Sequence, residues 1–405
     1  MNETKTAHPA RFQRLAGRRD PVLREGRVGL YCNQTAFAPG DGYLFQMLHA
    51  RGNLRRLFLP EHGLFAELQD QVSLTSAEAA RVYAFLGLEG VDIVSLYGES
   101  EDSLTVDSGL LADLDALVVD IQDVGARYYT FLTTLSYIFD VIQARGLSLA
   151  VYILDRPNPA GRFVEGTALP ASYASFVGRP GVPHRHGLTI GELARFFYRD
   201  IQANFPLEII PCEGQDFGHD FTWDIPPSPN MPLVRTPLLY SGQCLWEGTE
   251  LSEGRGTTRP FEIFGAPGCD FVFQADGVPR QSGALLRPLC FLPAFHKHAG
   301  QTCFGFQIAL DGSPYHALAH SLRLLRYFRD NMGDRFEWRK GPYEFRSDRP
   351  AIELLAGDPV LLDYLHGRAE FSPAAEAMAA GEEAWMASVA DVLLYPEPLR
   401  RIDPV

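Results

Sequence analysis

Residues 117–130 read LVVDIQDVGARYYT: a short apolar run ends abruptly in carboxylates, an arginine and two tyrosines. The same change occurs where residues 57–59 (LFL) meet residues 60–63 (PEHG), and where residues 151–154 (VYIL) meet residues 155–159 (DRPNP). Short, nearly continuous apolar runs are typical of parallel strands that are buried on both faces. Because open α/β sheets bind ligands at the carboxyl ends of their strands, these three strand ends predict one active-site edge.

The N-terminal half of the chain alternates predicted strands with predicted helices. Besides the run at 117–119, strands are expected at residues 27–32, 54–59, 93–97, 149–154 and 207–210. Apolar residues at helical spacing predict helices at residues 43–50, 134–145 and 189–204. This alternation indicates right-handed crossovers and a mainly parallel α/β sheet with helices on both faces.

The C-terminal half has a different character. From about residue 215, glycine, proline and aromatic residues become frequent, and the remainder of the chain indicates an α+β arrangement. Helices are predicted at residues 316–331 and 373–394, the second with Ser372 as its N-cap and Pro373 at its first helical position. We therefore predict two domains, at residues 1–235 and 236–405.

Composition narrows the classes of function. The 405 residues carry a net charge of −14 and no long basic run, which argues against nucleic acid or an anionic membrane as a partner. No segment approaches the roughly 20 apolar residues of a membrane span, and residues 1–19 lack the apolar core of a signal peptide. We therefore expect a cytoplasmic protein with no membrane insertion.

Motifs for cofactors and metals are missing from the sequence. The first predicted strand is followed by no GxGxxG, and no GxxxxGK[ST] occurs, so a nucleotide cofactor is not expected. The six cysteines form no CxxC pair, which indicates neither a zinc site nor a disulfide framework. The sequence therefore predicts an activity that uses no cofactor and no metal.

Three carboxylates are candidates for catalysis. Glu61 follows a strand, lies next to His62, and is the candidate general acid, although a loop salt bridge would explain it equally. Asp120 and Asp123 suit proton transfer, metal binding or recognition of sugar hydroxyls. The alternative to these functional roles is structural: a salt bridge from the aspartates to Arg127 that holds the loop.

Further candidates lie on proline-stiffened or glycine-rich loops, where rigid polar groups preorganise a site or simply form a turn. Arg255 has glycine on both sides and is a natural partner for a ligand carboxylate through a bidentate contact. Glu192 lies in the sequence TIGE and is better explained as part of a helix capping box. The candidate binding residues are Asn33, His62, Arg127, Tyr129, Arg156, Asn158, His186, Asn230, Glu253 and Arg255.

Several motifs follow one another in a fixed order. They are PEHG at 60–63, DIQDVGARYYT at 120–130, LDRPNP at 154–159, HGLTIGELA at 186–194, PSPNMP at 227–232 and EGTELSEGRGTTRPFE at 247–262. Together they closely resemble the NamZ-type exo-β-N-acetylmuramidases of bacterial cell-wall turnover. The resemblance is dense between about residues 28 and 270 and looser towards the C-terminus.

The resemblance implies an activity and a fold. It implies release of N-acetylmuramic acid (MurNAc) from the non-reducing end of peptidoglycan fragments, such as its disaccharide with N-acetylglucosamine (GlcNAc). It also implies a Rossmann-like N-terminal domain that binds no dinucleotide and a smaller C-terminal domain that closes the cleft. Carried over position by position, it makes Glu61 the best candidate for the catalytic acid, and it places the DIQDVGAR, DRPNP, PSPNMP and SEGRGT residues around the substrate.

Some roles stay open at this point. The second catalytic group is Asp120, Asp123, Glu253 or the substrate's own acetamido group. Arg127, Arg156 and Arg255 are candidates for binding the lactyl carboxylate that distinguishes MurNAc from GlcNAc. Two other classes of protein also fit the sequence: a non-catalytic protein that binds muropeptides or sugars, and a metal-dependent hydrolase that uses Asp120, Asp123 and His62.

Overall fold

A computed structural model describes residues 12, 15–18, 20–212, 223, 225–274 and 277–404. Most of residues 1–19, where the sequence predicts no signal-peptide core, therefore lies outside the described residues. The main sheet has six strands: β1 Val28–Cys32, β2 Leu54–Leu59, β3 Asp92–Ser95, β4 Ala116–Asp120, β5 Ala150–Leu154 and β6 Leu207–Ile210. All neighbouring pairs are parallel, in the spatial order β3-β2-β1-β4-β5-β6. The predicted parallel α/β sheet is confirmed, with the Rossmann strand order and its switch point between β1 and β4.

The strands are apolar throughout because the sheet is buried on both faces. Ala116 and Val118 of β4 belong to an apolar cluster that includes Leu48. Leu117 and Val119, one residue further along, point to the opposite face and join a second cluster. Side chains alternate across a strand, so a strand covered on both faces needs an unbroken apolar sequence.

The N-terminal half contains helices α1 Pro21–Glu25, α2 Leu44–Ala50, α3 Ser76–Val82, α4 Gly109–Ala112, α5 Thr130–Arg145 and α6 Ile190–Asp200. The expected capping box starts α6, where Thr189 and Glu192 satisfy each other's backbone donors. Helix α5 starts four residues earlier than predicted, because Phe131 and Leu132 are also buried. The earlier start makes Thr130 the first residue of α5.

The C-terminal half is α+β, as predicted. It contains α7 Pro237–Gln243, β7 Ile263–Ala266, β8 Ala284–Phe291, β9 Cys303–Leu310, α8 Ala317–Met332, α9 Ala351–Ala356, α10 Pro359–Leu365 and α11 Phe371–Ser388. The three strands form an antiparallel sheet in the order β7-β9-β8. Phe328 of α8 packs on this sheet, with its ring 5.7 Å from that of Phe264 and 6.2 Å from that of Phe306.

The start of α11 corrects one prediction. The helix begins at Phe371 with Glu370 as its N-cap residue, so Ser372 and Pro373 lie inside its first turn. The ring of Phe371 packs 5.1 Å from that of Tyr364 on α10, and this contact extends the helix towards its N-terminus. The helix also ends at Ser388, six residues before the predicted end.

The two halves of the chain are closely joined. The apolar cluster under α5 runs from Leu135 to Trp246 and Leu325 without a break, so both halves share part of one core. Near the C-terminus, Arg400–Arg401 pairs in parallel with Phe163–Val164 of the N-terminal half. The domain boundary at residue 235 stays a prediction. Across the described ranges, no helix combines the length and the apolar character needed to span a membrane.

Candidate active site

A polar pocket lies where the carboxyl ends of β2 and β4 meet the C-terminal half. Four of its lining residues are acids, one is an arginine, and both halves of the chain contribute. The polar and aromatic lining residues are Glu61, His62, Asp70, Tyr128, Tyr129, Thr130, Ser228, Asn230, Tyr240, Glu247, Arg255, Phe261, Tyr343 and Glu344. The pocket thus collects the PEHG, YYT, PSPNMP and SEGRGT motifs.

Glu61 lines this pocket and is held by two donors. The hydroxyl of Thr130 donates to its Oε2 at 2.9 Å, and the backbone N–H of Gln71 donates to its Oε1 at 3.2 Å. The side chain of Gln71 in turn accepts a hydrogen bond from Arg339 at 3.1 Å. Since Glu61 is only 5% exposed, these contacts fix the orientation of its carboxyl.

The loop after β2 has an unusual backbone. His62 and Gln71 have φ values of 76° and 56°, in the left-handed region that residues other than glycine rarely adopt. The ring of His62 is held by a hydrogen bond between its Nδ1 and the carbonyl of Leu68, at 3.0 Å. Residues held in such conformations cluster at functional sites, where the surrounding structure compensates for the strain.

Arg255 enters the pocket surrounded by carboxylates. Its guanidinium lies 2.7 Å from Glu247, 3.2 Å from Glu253 and 3.2 Å from Asp70. Burial alone would lower the pKa of Arg255, but these negative charges outweigh it and raise that pKa well above its usual value. The guanidinium is therefore permanently charged, and its direction is fixed.

Glu253 lies behind Arg255 and is absent from the pocket lining. It also contacts Lys297 at 2.9 Å and His296 at 3.2 Å. Burial would raise the pKa of Glu253, but the charges of Lys297, His296 and Arg255 hold it well below its ordinary value. This carboxylate supports the arginine, and its position gives no route to a substrate in the pocket.

The predicted aspartates at the end of β4 also lie outside the pocket lining. Arg156 donates from Nε to Asp120 at 2.8 Å and also bonds the carbonyl of Thr35. His186 Nε2 lies 3.1 Å from Asp123, which also accepts from the backbone N–H of Gly125 at 2.7 Å. The first pair joins the ends of β4 and β5, and the second joins the end of β4 to the segment before α6. That all three strand ends line one active site stays a prediction.

Three other candidates brace the backbone instead of lining the pocket. Asn33 donates to the carbonyl of Pro227 at 3.0 Å, and Asn158 donates to the carbonyl of Leu188 at 3.0 Å. Arg127 donates to the carbonyls of Leu355 at 2.6 Å and Ala356 at 3.1 Å, and burial lowers its pKa. The last carbonyls of a helix such as α9 need donors from outside it, which explains the position of Arg127.

The residues of the metal-dependent alternative do not converge. Asp120 faces Arg156 and Asp123 faces His186, whereas His62 lies in the pocket. Throughout the part of the chain that the structure describes, no group of three or more His, Cys, Asp or Glu side chains is arranged to hold a metal ion.

Three acids of the pocket, Asp70, Glu247 and Glu344, were not among the predicted candidates. Glu247 begins the EGTE motif and accepts hydrogen bonds from Arg255 at 2.7 Å and from the hydroxyl of Tyr343 at 2.7 Å. Glu344 lies on a loop between α8 and α9 and accepts from the hydroxyl of Tyr97 at 3.1 Å. The sequence offered a signal for Glu247, inside a motif, but none for Glu344, whose loop follows no strand.

Comparisons with known proteins agree with the motifs. The family model described as "Exo-beta-N-acetylmuramidase NamZ, N-terminal" matches residues 28–235, and the one described as "Exo-beta-N-acetylmuramidase NamZ, C-terminal" matches residues 238–395. The chain is 33% identical over 331 residues to the peptidoglycan beta-N-acetylmuramidase NamZ of Bacillus subtilis strain 168. That alignment covers 78% of this chain and 76% of the relative.

Two solved structures of DUF1343 family proteins from Bacteroides fragilis have the same fold. One has a TM-score of 0.76 at 24% identity and covers 95% of this chain and 96% of its own. The other has a TM-score of 0.68 at 28% identity and covers 93% of this chain and 95% of its own. With both family models matched along one chain, the resemblance read from the motifs is confirmed, and the protein belongs to the exo-β-N-acetylmuramidase NamZ family.

Proposed function

We propose that this protein is an exo-acting glycoside hydrolase that releases N-acetylmuramic acid from the non-reducing end of peptidoglycan fragments such as MurNAc–GlcNAc. Family membership supports the reaction class, because the B. subtilis relative is named a peptidoglycan beta-N-acetylmuramidase. The observation that carries the proposal is Glu61, a buried carboxyl oriented by Thr130 and Gln71 in a pocket enclosed by both halves of the chain.

The chemistry of glycoside hydrolysis fits an acid-rich pocket. A proton must reach the leaving oxygen, and positive charge that develops at the anomeric carbon must be stabilised, tasks for which glycosidases use carboxyl groups. Both carboxyl oxygens of Glu61 accept a hydrogen bond, and we assign this residue an essential catalytic role. Tyr129 and Asn230 also line the pocket and are placed to contact the sugar.

Arg255 is the candidate for recognising the lactyl carboxylate of MurNAc. Of the three arginines suggested by the sequence, it alone is among the residues that line the described pocket. The guanidinium of Arg127 donates to the backbone carbonyls of α9, and that of Arg156 donates to Asp120. A planar, permanently charged guanidinium can bind the lactyl carboxylate of MurNAc through a two-point contact, which GlcNAc has no group to form.

Release of 4-nitrophenol from 4-nitrophenyl β-MurNAc, with the β-GlcNAc analogue in parallel, tests the proposal. We expect rapid turnover that is selective for the MurNAc compound and abolished by Glu61→Gln. Binding of MurNAc–GlcNAc without turnover of any substrate by the wild type would instead identify a non-catalytic sugar-binding protein. The role in recycling and the cytoplasmic location are also proposals, and cell fractionation with antibody detection tests the location.

A further inference from the structure

The pocket contains a carboxyl from the C-terminal half, Glu344, which was not among the site residues predicted from the sequence. It is 7% exposed and lines the same pocket as Glu61. Glycosidases commonly use a pair of carboxyl groups, and the three acids suggested earlier as the partner of Glu61 all lie outside this lining. Of the other lining acids, Asp70 and Glu247 both pair with Arg255, so Glu344 is the acid to examine for that role.

The backbone around Glu344 is unusual for its sequence. Tyr343 and Arg346 exchange two backbone hydrogen bonds of 2.9 Å, which makes Glu344 and Phe345 the centre of a two-residue hairpin turn. Their φ values are 46° and 66°. A turn with two positive φ values is of type I′ and strongly favours Asn-Gly, so a Glu-Phe pair here is strained.

Packing compensates for the strain and fixes the position of the carboxyl. The ring of Phe345 lies 5.3 Å from that of Tyr97, and Tyr97 lies 5.7 Å from Phe176. The hydroxyl of the same tyrosine donates to Glu344 Oε2 at 3.1 Å. Strained turns cluster at functional sites, where surrounding contacts hold them in place. The strained turn and the two contacts with Tyr97 therefore indicate that the position of this carboxyl has a function.

The charges around Glu344 are mostly negative. Glu61, Asp70 and Glu247 line the same pocket, and the cation Arg255 is already shared among Asp70, Glu247 and Glu253. Burial, followed by the charge of Glu61, raises the pKa of Glu344 well above its ordinary value, against the opposing effect of the Tyr97 hydroxyl. When two titratable carboxyls share a site, the one with the raised pKa is the one that carries the proton.

We propose that Glu344 is the catalytic general acid of this site and that Glu61 is the second catalytic carboxyl, which accepts a proton from water. This inference rests on the proposed function and moves to Glu344 the proton donation that the sequence suggested for Glu61. Glu61 belongs to the N-terminal half and Glu344 to the C-terminal half, so each half contributes one of the two carboxyls to the pocket.

The reaction balances with one water molecule. Glu344 gives its proton to the glycosidic oxygen as the bond from that oxygen to C1 of MurNAc breaks, and the bonding electrons stay on the oxygen. The second sugar then leaves as a neutral alcohol. A water molecule adds to C1 and gives one proton to Glu61, and passage of that proton to Glu344 restores the starting state.

Two substrates separate the acid from its partner. A nitrophenolate leaves without a proton, whereas the GlcNAc of MurNAc–GlcNAc needs one. We expect Glu344→Gln to lower kcat/KM on the disaccharide by about 100-fold or more, and on 4-nitrophenyl β-MurNAc by less than about tenfold. Glu61→Gln is expected to lower both by about 100-fold or more. Glu67→Gln serves as the matched control, because Glu67 follows β2 in the same loop as Glu61 but is not in the pocket lining.

Wild-type pH profiles give a test that needs no variant: activity on the disaccharide falls with rising pH as Glu344 loses its proton, and activity on the nitrophenyl substrate does not. The assignment is overturned if Glu344→Gln loses equal activity on both substrates or keeps its full activity on the disaccharide. It is also overturned if Glu61→Gln, and not Glu344→Gln, loses activity mainly on the disaccharide. A wild type that hydrolyses neither substrate overturns the proposed function itself, which is a different result from any of these.

Discussion

Thr130 and Glu61 are 69 residues apart in the chain, yet the hydroxyl of the first donates to the carboxyl of the second at 2.9 Å. The contact exists because β2 delivers Glu61 and α5 begins at Thr130, on the same edge of the sheet. The first residue of α5 therefore sets the direction of the carboxyl proposed to be essential.

Replacing Thr130 by valine keeps the shape of the side chain and removes the hydroxyl. Removing the hydrogen-bond partner of a buried group costs about 1–3 kcal/mol, so kcat/KM on 4-nitrophenyl β-MurNAc is expected to fall by about tenfold. Thr130→Ser keeps the donor and is expected to stay within about threefold of the wild type. Valine and serine variants of equal activity would show that the contact does not matter for turnover.

Selectivity for MurNAc is expected to depend on Arg255. Arg255→Lys keeps a positive charge beside Glu247, Glu253 and Asp70 and so protects the fold, but it loses the planar two-point contact. We expect kcat/KM to fall about 100-fold on the MurNAc substrate and less than about fivefold on the GlcNAc analogue. Parallel kinetics on the two nitrophenyl glycosides measure this, and equal losses on both would remove Arg255 as the carboxylate ligand.

The pH dependence is expected to respond to Tyr97. Its hydroxyl donates to Glu344, which favours the ionised carboxylate and lowers the pKa of Glu344. Tyr97→Phe keeps the ring contacts with Phe176 and Phe345 and removes only that donor. The alkaline limb of kcat/KM on MurNAc–GlcNAc should therefore move to higher pH, and a limb that stays in place or moves to lower pH contradicts the assignment of Glu344.

Arg127 is expected to matter for stability and not for substrate binding. Arg127→Met leaves the carbonyls of Leu355 and Ala356 without their donor, so the free energy of unfolding should fall by about 3 kcal/mol. Urea denaturation measures this, and Arg368→Met, at an exposed pair with Asp363, should change it by less than about 0.5 kcal/mol. A raised KM at unchanged stability would restore Arg127 as a substrate ligand.

The strand ends could be predicted from the sequence, but which of them share the pocket could not. Chain order suggests that the ends of β2, β4 and β5 act together, whereas in space β1 and β4 separate β5 from β2. Arg156, one strand further out, reaches back to Asp120. Spatial order depends on crossovers and packing over the whole domain, which the local pattern of residues does not encode.

Glu344 could not be found for a different reason. Its turn has neither glycine nor asparagine, and a Glu-Phe pair is the opposite of what predicts a two-residue turn. The conformation is imposed by contacts with Tyr97, almost 250 residues earlier in the chain. By contrast, Glu61 lies between proline and histidine, and Arg255 lies between two glycines. Such local patterns can be recognised in the sequence, so both residues could be predicted.

The parallel pairing of Arg400–Arg401 with Phe163–Val164 has a consequence for biosynthesis. During synthesis this pairing cannot form until residues 400–401 have left the ribosome, so the N-terminal half gains the contact late in translation. Glu344 is likewise translated long after Glu61. Under the proposed mechanism the N-terminal half alone therefore lacks the acid that protonates the leaving sugar.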